Sequence, residues 1–414
     1  MSIAVKKICI ISTRHISYNP RVLKEADALY CSGYKVVVVT VNNHNLQSMF
    51  DEELMKERSW SLITVNFRRS VKREKLKWLI LSFQNKIYNQ LKKISLRNDI
   101  AEKAAEKAYS SLKKLAINEK ADLYIVHHAE ALGIGFHAAK KNNSKWGFDA
   151  EDFHTGMNKA DEPSDKDFII PFLEEKYLPT ANYITAASKG IAEAYKKKYR
   201  LSQKINVILN VFPHEQLSAT SVASPVKFYW YSQVIGPTRN LEQLMLAAGK
   251  LKGSFELHFR GSFHNEEYKL LLLKLAAEYG LENNIFFHEP IMAERLIIDA
   301  SQFDIGLALE SDVSINRNVC VTNKIFCYLM AGLAIVGTDT MGQKDIFTHF
   351  PGAVKECKMN DEVDLAIAMQ YFIDHPGQLA MAKKTARGAA EQQFNWECES
   401  KKFLMTIQNV LTDQ

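Results

Sequence analysis

The sequence has 414 residues, of which 47% are hydrophobic and 24% are charged, with only 10 prolines and 18 glycines. This composition is typical of a globular protein and excludes a disordered, collagen-like or low-complexity chain. The six cysteines are scattered without a CxxC pair, which argues against a disulfide framework or a structural zinc site. The formal net charge of +6 is too small to identify a partner by itself.

The sequence shows no sign of membrane insertion or secretion. No apolar stretch reaches the ~18 residues that a membrane-spanning helix needs, and the first eleven residues lack the features of a signal peptide. We therefore expect a cytoplasmic protein, or one that associates peripherally with the inner face of the cell membrane.

Short apolar runs alternate with amphipathic stretches of helical length along almost the whole chain. Residues 8–12 and 35–41 are predicted to be strands, with a helix over 20–31 between them. Further strands are predicted at 61–67, 123–126, 145–150, 183–186 and 205–209. Continuous apolar strands of this kind are typical of a parallel sheet that helices cover on both faces.

The alternation breaks over residues 210–225, a stretch with two prolines and no apolar period, and then restarts. Strands are predicted at 227–232, 255–260, 285–288, 304–309 and 334–338, with helices between them. The sequence therefore predicts an α/β protein with two Rossmann-like, doubly wound parallel-sheet domains that face each other across a cleft. The predicted parts are a first domain over 1–212, a linker over 213–225, a second domain over 226–392, and a C-terminal helix over 393–414 that could pack back on the first domain.

Ligands of such folds bind beyond the carboxyl ends of the strands, so the loops that follow strands are the candidate sites. The first of these loops, residues 12–21, contains no glycine, and the chain lacks a P-loop motif, which disfavours a dehydrogenase or a P-loop enzyme. Arg14, His15 and Arg21 in this loop either bind an anionic acceptor or belong to a cap and turn.

A histidine and a carboxylate follow the next two strands of the first domain. His127 comes directly after strand 123–126, and Asp152 lies in the loop after strand 145–150. These groups could orient and deprotonate a hydroxyl, so both are candidate catalytic residues, with a structural histidine and a helix cap as the alternatives. The Asp-Lys-Asp run at 165–167 resembles a metal-binding DxD motif, but a cap or turn explains it better because no strand precedes it.

Basic or polar residues stand at three loops of the second domain. Gly236 permits a tight turn before Arg239, Arg260 ends a predicted strand, and Asn323 and Lys324 open a helix. A cation beside the free N–H groups of a helix start is suited to phosphate binding. Three such positions at one sheet edge favour a ligand that carries a diphosphate.

Taken together, these residues resemble those of GT-B-fold glycosyltransferases of the group 1 type (glycosyltransferase family 4). The resemblance covers nearly the whole chain and is most specific over residues 322–336. It implies transfer of a sugar from a nucleoside diphosphate sugar to a hydroxyl, with retention of anomeric configuration and without a metal or another cofactor. It also implies that Arg239 holds the diphosphate, that Asn323 and Lys324 lie at the edge of the donor pocket, and that His127 faces the acceptor.

Two residues depart from the family pattern. Cys327 stands where the family has a glutamate for the donor ribose, and Gln233 stands near the position of a common arginine. Cys327 is therefore a candidate donor-binding residue of an altered pocket, and Glu310 could supply the missing carboxylate.

The stretch from Arg68 to Arg97 contains ten Lys or Arg and one acid, Glu74, with apolar residues at helical spacing. It is predicted to be one helix with an apolar stripe and a basic flank. The stripe either packs on the first domain or docks on an anionic membrane surface. Nucleic acid is disfavoured because no aromatic stacking platform accompanies the charges.

The predicted function is the transfer of a sugar to a surface polysaccharide or a lipid-linked glycan, as in lipopolysaccharide or capsule biosynthesis. Two alternatives remain open. One is a sugar-nucleotide epimerase of the same architecture, and the other is a degenerate protein that binds a nucleotide sugar as the partner of another transferase.

Overall fold

The computed structural model describes residues 5–157, 168–217, 222 and 224–412. The Asp-Lys-Asp run at 165–167 lies outside these residues. The described chain divides into two compact units. The first unit contains the residues up to Ala187, residues 191–208 and the residues from Ser400 onward, and the second unit contains residues 188–190 and 209–399.

The first unit is built on a seven-stranded parallel sheet with the strand order β3-β2-β1-β4-β5-β6-β7. Its strands are β1 (Lys7–Ile11), β2 (Lys35–Asn42), β3 (Ser61–Asn66), β4 (Leu123–His127), β5 (Lys145–Ala150), β6 (Tyr183–Ala186) and β7 (Ile205–Val207). The helices of this part of the chain are α1 (Pro20–Cys31), α2 (Asn45–Met55), α3 (Lys72–Leu91), α4 (Asn98–Ala105), α5 (Tyr109–Asn118), α6 (Leu132–Asn142), α7 (Ile169–Tyr177) and α8 (Lys189–Tyr199).

The centre of this sheet forms where the sequence is most continuously apolar. Every residue of β4 is buried, as are the last four residues of β1, because helices cover both faces of the sheet. The strand order reverses between β1 and β4, which are hydrogen-bonded neighbours. Helix α1 begins after β1, where the side chain of Asn19 accepts hydrogen bonds from the backbone N–H groups of Arg21 and Val22, both at 3.1 Å.

The second unit is built on a six-stranded parallel sheet with the order β10-β9-β8-β11-β12-β13. Its strands are β8 (Val226–Ile235), β9 (Phe255–Phe263), β10 (Ile285–His288), β11 (Ile305–Ala308), β12 (Ala334–Thr338) and β13 (Val354–Cys357). The remaining helices are α9 (Leu241–Ala248), α10 (Glu266–Glu278), α11 (Leu296–Ala300), α12 (Ile315–Val319), α13 (Asn323–Ala331), α14 (Met341–Phe347), α15 (Glu362–Asp374), α16 (Pro376–Gln392) and α17 (Trp396–Thr412). The strand order of this sheet reverses between β8 and β11.

The predicted α/β class with two parallel sheets is confirmed, and the differences are local. Strand β13 was not predicted, because its sequence Val-Lys-Glu-Cys is short and half charged. The helix predicted over 68–97 is shorter, since α3 ends at Leu91. Among the described residues, no helix is both long enough and apolar enough to cross a membrane.

Helix α13 packs closely on β11 because Gly306 has no side chain. A Cβ atom at Gly306 would lie 2.2 Å from Cγ of Tyr328, whose ring is fully buried. The Tyr328 hydroxyl donates a hydrogen bond to the carbonyl of Leu307 at 3.2 Å, which fixes the ring over the strand. This contact sets the position of α13, and therefore of the residues at its start.

We expect Gly306→Ala to lower the free energy of unfolding by about 1–3 kcal/mol, the usual cost of overpacking a core. Gly377→Ala is the matched control, because nothing lies within 4 Å of the Cβ position at this site near the start of α16. Chemical denaturation measures both variants. Equal stability of Gly306→Ala and the wild type would contradict the close packing.

Candidate functional site

The second unit has a charged cluster at the edge of its sheet where the strand order reverses. Strands β8 and β11 are parallel neighbours, so the loops that follow them begin at the same edge. Arg239 lies in the loop after β8, and Glu310 follows β11 by two residues. Lys324, the second residue of α13, reaches the same place. In open α/β sheets, this edge is where ligands bind.

Glu310 holds two cationic side chains in fixed positions. Its Oε1 accepts a hydrogen bond from Nζ of Lys324 at 2.6 Å, and its Oε2 accepts one from Arg317 at 2.7 Å. The side chain of Glu310 is buried, and its backbone N–H donates to the hydroxyl of Thr338 at 2.9 Å. Burial opposes ionisation, but the charges of Lys324, Arg317 and Arg239 lower the pKa of Glu310 to about 2.

Arg239 adds a third cation to this cluster. Burial and the nearby charge of Arg317 lower the pKa of Arg239, and only the charge of Glu310 opposes this. Within the described parts of the chain, its guanidinium makes no hydrogen bond or ion pair. Its neighbours Thr238 and Asn240 have φ values of +67° and +57°, which non-glycine residues adopt rarely.

Three cations therefore surround one carboxylate, and the site carries excess positive charge. Helix α13 begins beside it, so the free N–H groups of its first turn add to the field. Asn323, the first residue of this helix, has an exposed side chain. A diphosphate is the kind of group that such an arrangement accommodates.

Gly236 has a steric role in addition to the predicted one in the turn. A Cβ atom at this residue would lie 3.0 Å from Cβ of His264, which follows strand β9. The glycine therefore allows two loops at this sheet edge to approach each other, in addition to any effect on the turn.

Arg260 is not free to bind phosphate, and the prediction for this residue is wrong. It lies inside strand β9, and its Nε and Nη2 atoms donate to the carboxylate of Asp299 at 2.8 and 2.6 Å. Its Nη1 donates to the carbonyl of Glu289 at 2.6 Å. All three nitrogens are used to join β9 to neighbouring elements, so Arg260 is a structural residue.

Cys327 does not face a ligand, and the prediction that it lines the donor pocket is also wrong. Its side chain is fully buried, and burial raises the pKa of the thiol to about 12. Glu310, which is expected to replace the missing ribose carboxylate, pairs with Lys324 and Arg317 through its two oxygens, and its role toward the ribose stays a prediction. Sequence reasoning missed Arg317, which comes from the short helix α12 that no periodicity indicated.

The first unit has a buried ionic network at the carboxyl edge of β1, β4 and β5. The Nε2 atom of His127 lies 3.1 Å from Oε2 of Glu25, and its Nδ1 lies 3.0 Å from Oε1 of Glu151. Arg21 forms a two-point ion pair with Asp149, with Nη2 at 2.8 Å from Oδ1. Two cations and three carboxylates thus stabilise one another in the interior.

The carboxyl groups on both sides of the His127 ring favour its imidazolium form. Burial would lower its pKa, but Glu25, Glu151 and Asp149 raise the pKa of His127 to about 10. Both ring nitrogens then donate hydrogen bonds, and neither is free to remove a proton from a hydroxyl. The catalytic role of His127 stays a prediction. The geometry indicates that His127 positions the carboxylate of Glu151.

The same cluster includes the carboxylates that could bind a metal ion. Ligand atoms of Glu25, His127 and Asp149 lie within 4.8 Å of one another. Arg21 and the His127 imidazolium already balance these carboxylates, so the donor set fits an ionic network better than a metal centre.

The predicted acceptor residues of the first loop differ in availability. Arg14 is exposed, and its guanidinium has no partner among the residues that the structure describes. His15 is buried, with Nδ1 2.7 Å from Asp51 and Nε2 3.1 Å from Asn43, so the prediction that it meets an acceptor is wrong. The same correction applies to Arg21, which is fully buried and paired with Asp149.

Two further residues complete this edge. Asp152 is half-buried, and its carbonyl accepts a hydrogen bond from the Tyr195 hydroxyl at 3.2 Å; its catalytic role stays a prediction. His128 is buried with a φ of +71°, an unusual value for a non-glycine residue. Burial and the charge of Arg14 lower the pKa of His128 to about 3, so it is a neutral imidazole beside an exposed arginine.

We expect both ring nitrogens of His127 to remain protonated at pH 8, where an ordinary histidine with a pKa of 6.5 is neutral. Its raised pKa stabilises the folded state fully below pH 6.5, and this contribution is lost as the pH rises through about 10. Nitrogen chemical shifts of the ring measure the protonation directly. A neutral tautomer at pH 8 would contradict the network, and His127→Gln should remove this part of the pH dependence of stability.

Comparison with known proteins is informative at the level of structure. No protein-family model and no curated protein sequence matches this chain. HepE of Anabaena in complex with UDP matches with a TM-score of 0.69 and 13% identity, covering 98% of this chain and 100% of that one. Sucrose-phosphate synthase from Thermosynechococcus elongatus matches with a TM-score of 0.69 and 15% identity, covering 98% and 99%.

A third similar structure is the lipopolysaccharide outer core galactosyltransferase WaaB, with a TM-score of 0.65, 13% identity and coverage of 98% and 99%. Such low identities carry information about the fold alone. The two parallel-sheet units and these likenesses confirm the expected architecture: this chain has the GT-B fold of glycosyltransferases.

Proposed function

We propose that this protein is a glycosyltransferase that moves a sugar from a nucleoside diphosphate sugar to a hydroxyl of a surface polysaccharide or a lipid-linked glycan. The observation that carries the proposal is the cluster of Arg239, Lys324 and Arg317 around Glu310 at the edge of the second sheet. UDP is the first nucleotide to test, because HepE, which has the same fold, is known in complex with UDP-glucose.

The cluster suits the chemistry of a departing diphosphate. When the bond between the anomeric carbon and the diphosphate oxygen breaks, negative charge grows on the leaving group. Lys324 and the start of α13 are fixed before the reaction, so they stabilise this charge without reorganising, and Arg239 adds a further positive charge. Three side-chain cations also supply charge that a divalent metal would otherwise provide, and we therefore expect activity in the presence of a chelator.

For the acceptor side, we assign a role to the edge of the first sheet. Burial opposes ionisation of Glu151, but the hydrogen bond and charge of His127 hold its pKa below the usual range. Its Oε1 also accepts a hydrogen bond from Nδ2 of Asn19 at 2.6 Å. A carboxylate fixed in this way, with exposed Arg14 on the same edge, could orient an acceptor. Asp152 stays a catalytic candidate. The proposal includes retention of the anomeric configuration.

One observation favours a second candidate function. The residue expected to bind the donor ribose is Cys327, whose buried thiol cannot accept two hydroxyl hydrogen bonds as a glutamate does. A protein that binds a nucleotide sugar without transferring it would tolerate this loss.

A donor panel separates these functions. The full chain is incubated with UDP-, GDP- and dTDP-sugars, with and without membrane lipid extract, and both released nucleotide and sugar identity are measured. We expect nucleotide release that depends on the acceptor extract and persists with chelator. Binding without turnover would favour the non-catalytic function, and an isomerised donor without acceptor would indicate an epimerase.

Arg239→Ala should weaken UDP binding by about 1.5–3 kcal/mol, the range for a hydrogen bond to a charged group. The fold should be unaffected, because the guanidinium has no partner in the described part of the protein. Arg295→Ala is the matched control: this exposed arginine follows β10, two strands away from β8. Calorimetric titration measures both variants, and unchanged affinity of Arg239→Ala would remove Arg239 from the site.

A further inference from the structure

Helix α3 of the first unit turns its apolar face to solvent. Six large apolar side chains of this helix are between 37 and 67% exposed, and they are Leu76, Leu79, Ile80, Phe83, Ile87 and Leu91. At 100° per residue they fall on one side of the helix. The interpretation that this stripe packs on the first unit is therefore wrong, since the one buried residue of α3, Leu81, lies outside the stripe.

The opposite face of α3 attaches the helix to the protein through polar groups. Nδ2 of Asn85 donates hydrogen bonds to the carbonyls of Lys103 and Ala104 at 3.0 and 3.2 Å. Nζ of Lys103 donates to the hydroxyl of Tyr88 at 3.1 Å, and Lys107 donates to Ser82 at 3.2 Å. The outward direction of the apolar stripe is thus fixed by specific bonds to α4 and the residues after it.

Exposed cations border the apolar stripe on both sides. Arg73 and Lys77 lie on one side of it, and Lys75 and Lys86 lie on the other, roughly 50–110° from its centre. Within the described residues, none of these four side chains makes an ion pair. An uncovered apolar face of this length is typical of an interaction site, and the cations beside it favour a partner with negative charge.

A basic pocket opens beside the start of the same helix. Its volume is about 440 Å³, and its lining residues are Asn43, His44, Asn45, Arg69, Ser70 and Lys75. Among the described residues, none of those that line it carries a carboxylate. The guanidinium of Arg69 lies 5.1 Å from the centre of the Trp78 ring, which holds it near the pocket. Two cations, amides and a hydroxyl are suited to one phosphate group.

We propose that α3 docks the first unit on an anionic phospholipid bilayer. The apolar face lies in the interfacial region, the flanking cations contact lipid phosphates, and the pocket takes one headgroup phosphate. The unpaired cations on both flanks select this occupant over an apolar protein surface, which would leave them without counter-charges. The inference goes beyond glycosyl transfer, because docking needs neither nucleotide nor acceptor.

Vesicle flotation with the full chain tests this proposal without any sugar nucleotide. Phosphatidylcholine vesicles with phosphatidylglycerol should bind the protein, and vesicles of phosphatidylcholine alone should not. Phe83→Glu should lower the partition coefficient by about tenfold or more, since it places a charge in the inserted face. Ile367→Glu on α15, where the side chain is 63% exposed against 66% for Phe83, is the matched control and should bind like the wild type.

The electrostatic part has its own pair of variants. The double variant Lys75→Glu with Lys86→Glu should abolish binding to the anionic vesicles. The control is Lys250→Glu with Lys274→Glu, which changes two exposed lysines of the second unit and alters the net charge equally. This control should bind the vesicles like the wild type. Unchanged binding of either α3 variant overturns the proposal. A different result would assign the face to a second copy of the chain. In that case light scattering would show a dimer that is lost in Phe83→Glu, and the protein would not bind vesicles. Neither result bears on UDP binding, so the proposed function is tested separately.

Discussion

The buried carboxylate of Glu310 is the group on which the candidate donor site depends. Lys324 and Arg317 would repel each other without it, and it holds both within 2.7 Å of its oxygens. Burying such a group is costly, and the cost is offset only because the cations saturate it. Because its pKa falls from 4.5 to about 2, its contribution to stability is present above pH 4.5 and is lost as the pH falls toward 2. Among the described residues the guanidinium of Arg239 makes no hydrogen bond or ion pair, which leaves a positive charge available for an anion.

Ion pairing also fixes the buried charged groups of the first unit, but there carboxylates outnumber cations. Three carboxylates gather at the end of its central strands, and Arg21 and the His127 imidazolium hold them. Most of this network is closed to ligands because its charges pair with one another. Glu151 remains partly accessible to solvent, and the exposed Arg14 lies nearby. Both sheets therefore carry organised charge where their strand order reverses, the position at which this class of sheet binds ligands.

Strand positions, the parallel sheets and the start of α13 could be predicted from the sequence because they follow from local apolar patterns. Which charged side chains are free to bind a ligand could not be predicted, because this depends on partners far along the chain. Arg21 is paired with a residue 128 positions away, and Arg260 with one 39 positions away. Cys327 follows the same rule, since the sequence places it on a helix of the donor region but does not say which side of that helix is buried.

Helix α3 shows a further limit of pattern reading. Its periodicity correctly predicts a helix with an apolar stripe, and the ordinary assumption is that such a stripe faces the core. The structure reverses that assumption, because Asn85 and Tyr88 make the contacts with α4. Whether the apolar stripe faces the core or the solvent depends on the polar residues of the other face of α3. Their hydrogen-bond partners lie elsewhere in the chain, so the sequence of α3 alone does not reveal them.

The difference in affinity between UDP and UMP is the most direct measure of the central claim that the second unit binds a diphosphate. Both nucleotides offer the same base and ribose, so calorimetric titration of each isolates the second phosphate. The charge excess around Glu310 predicts that UDP binds at least about tenfold more tightly than UMP, corresponding to one further charged hydrogen bond. Equal affinities, or no binding of either nucleotide, would contradict the assignment of this cluster as the diphosphate site.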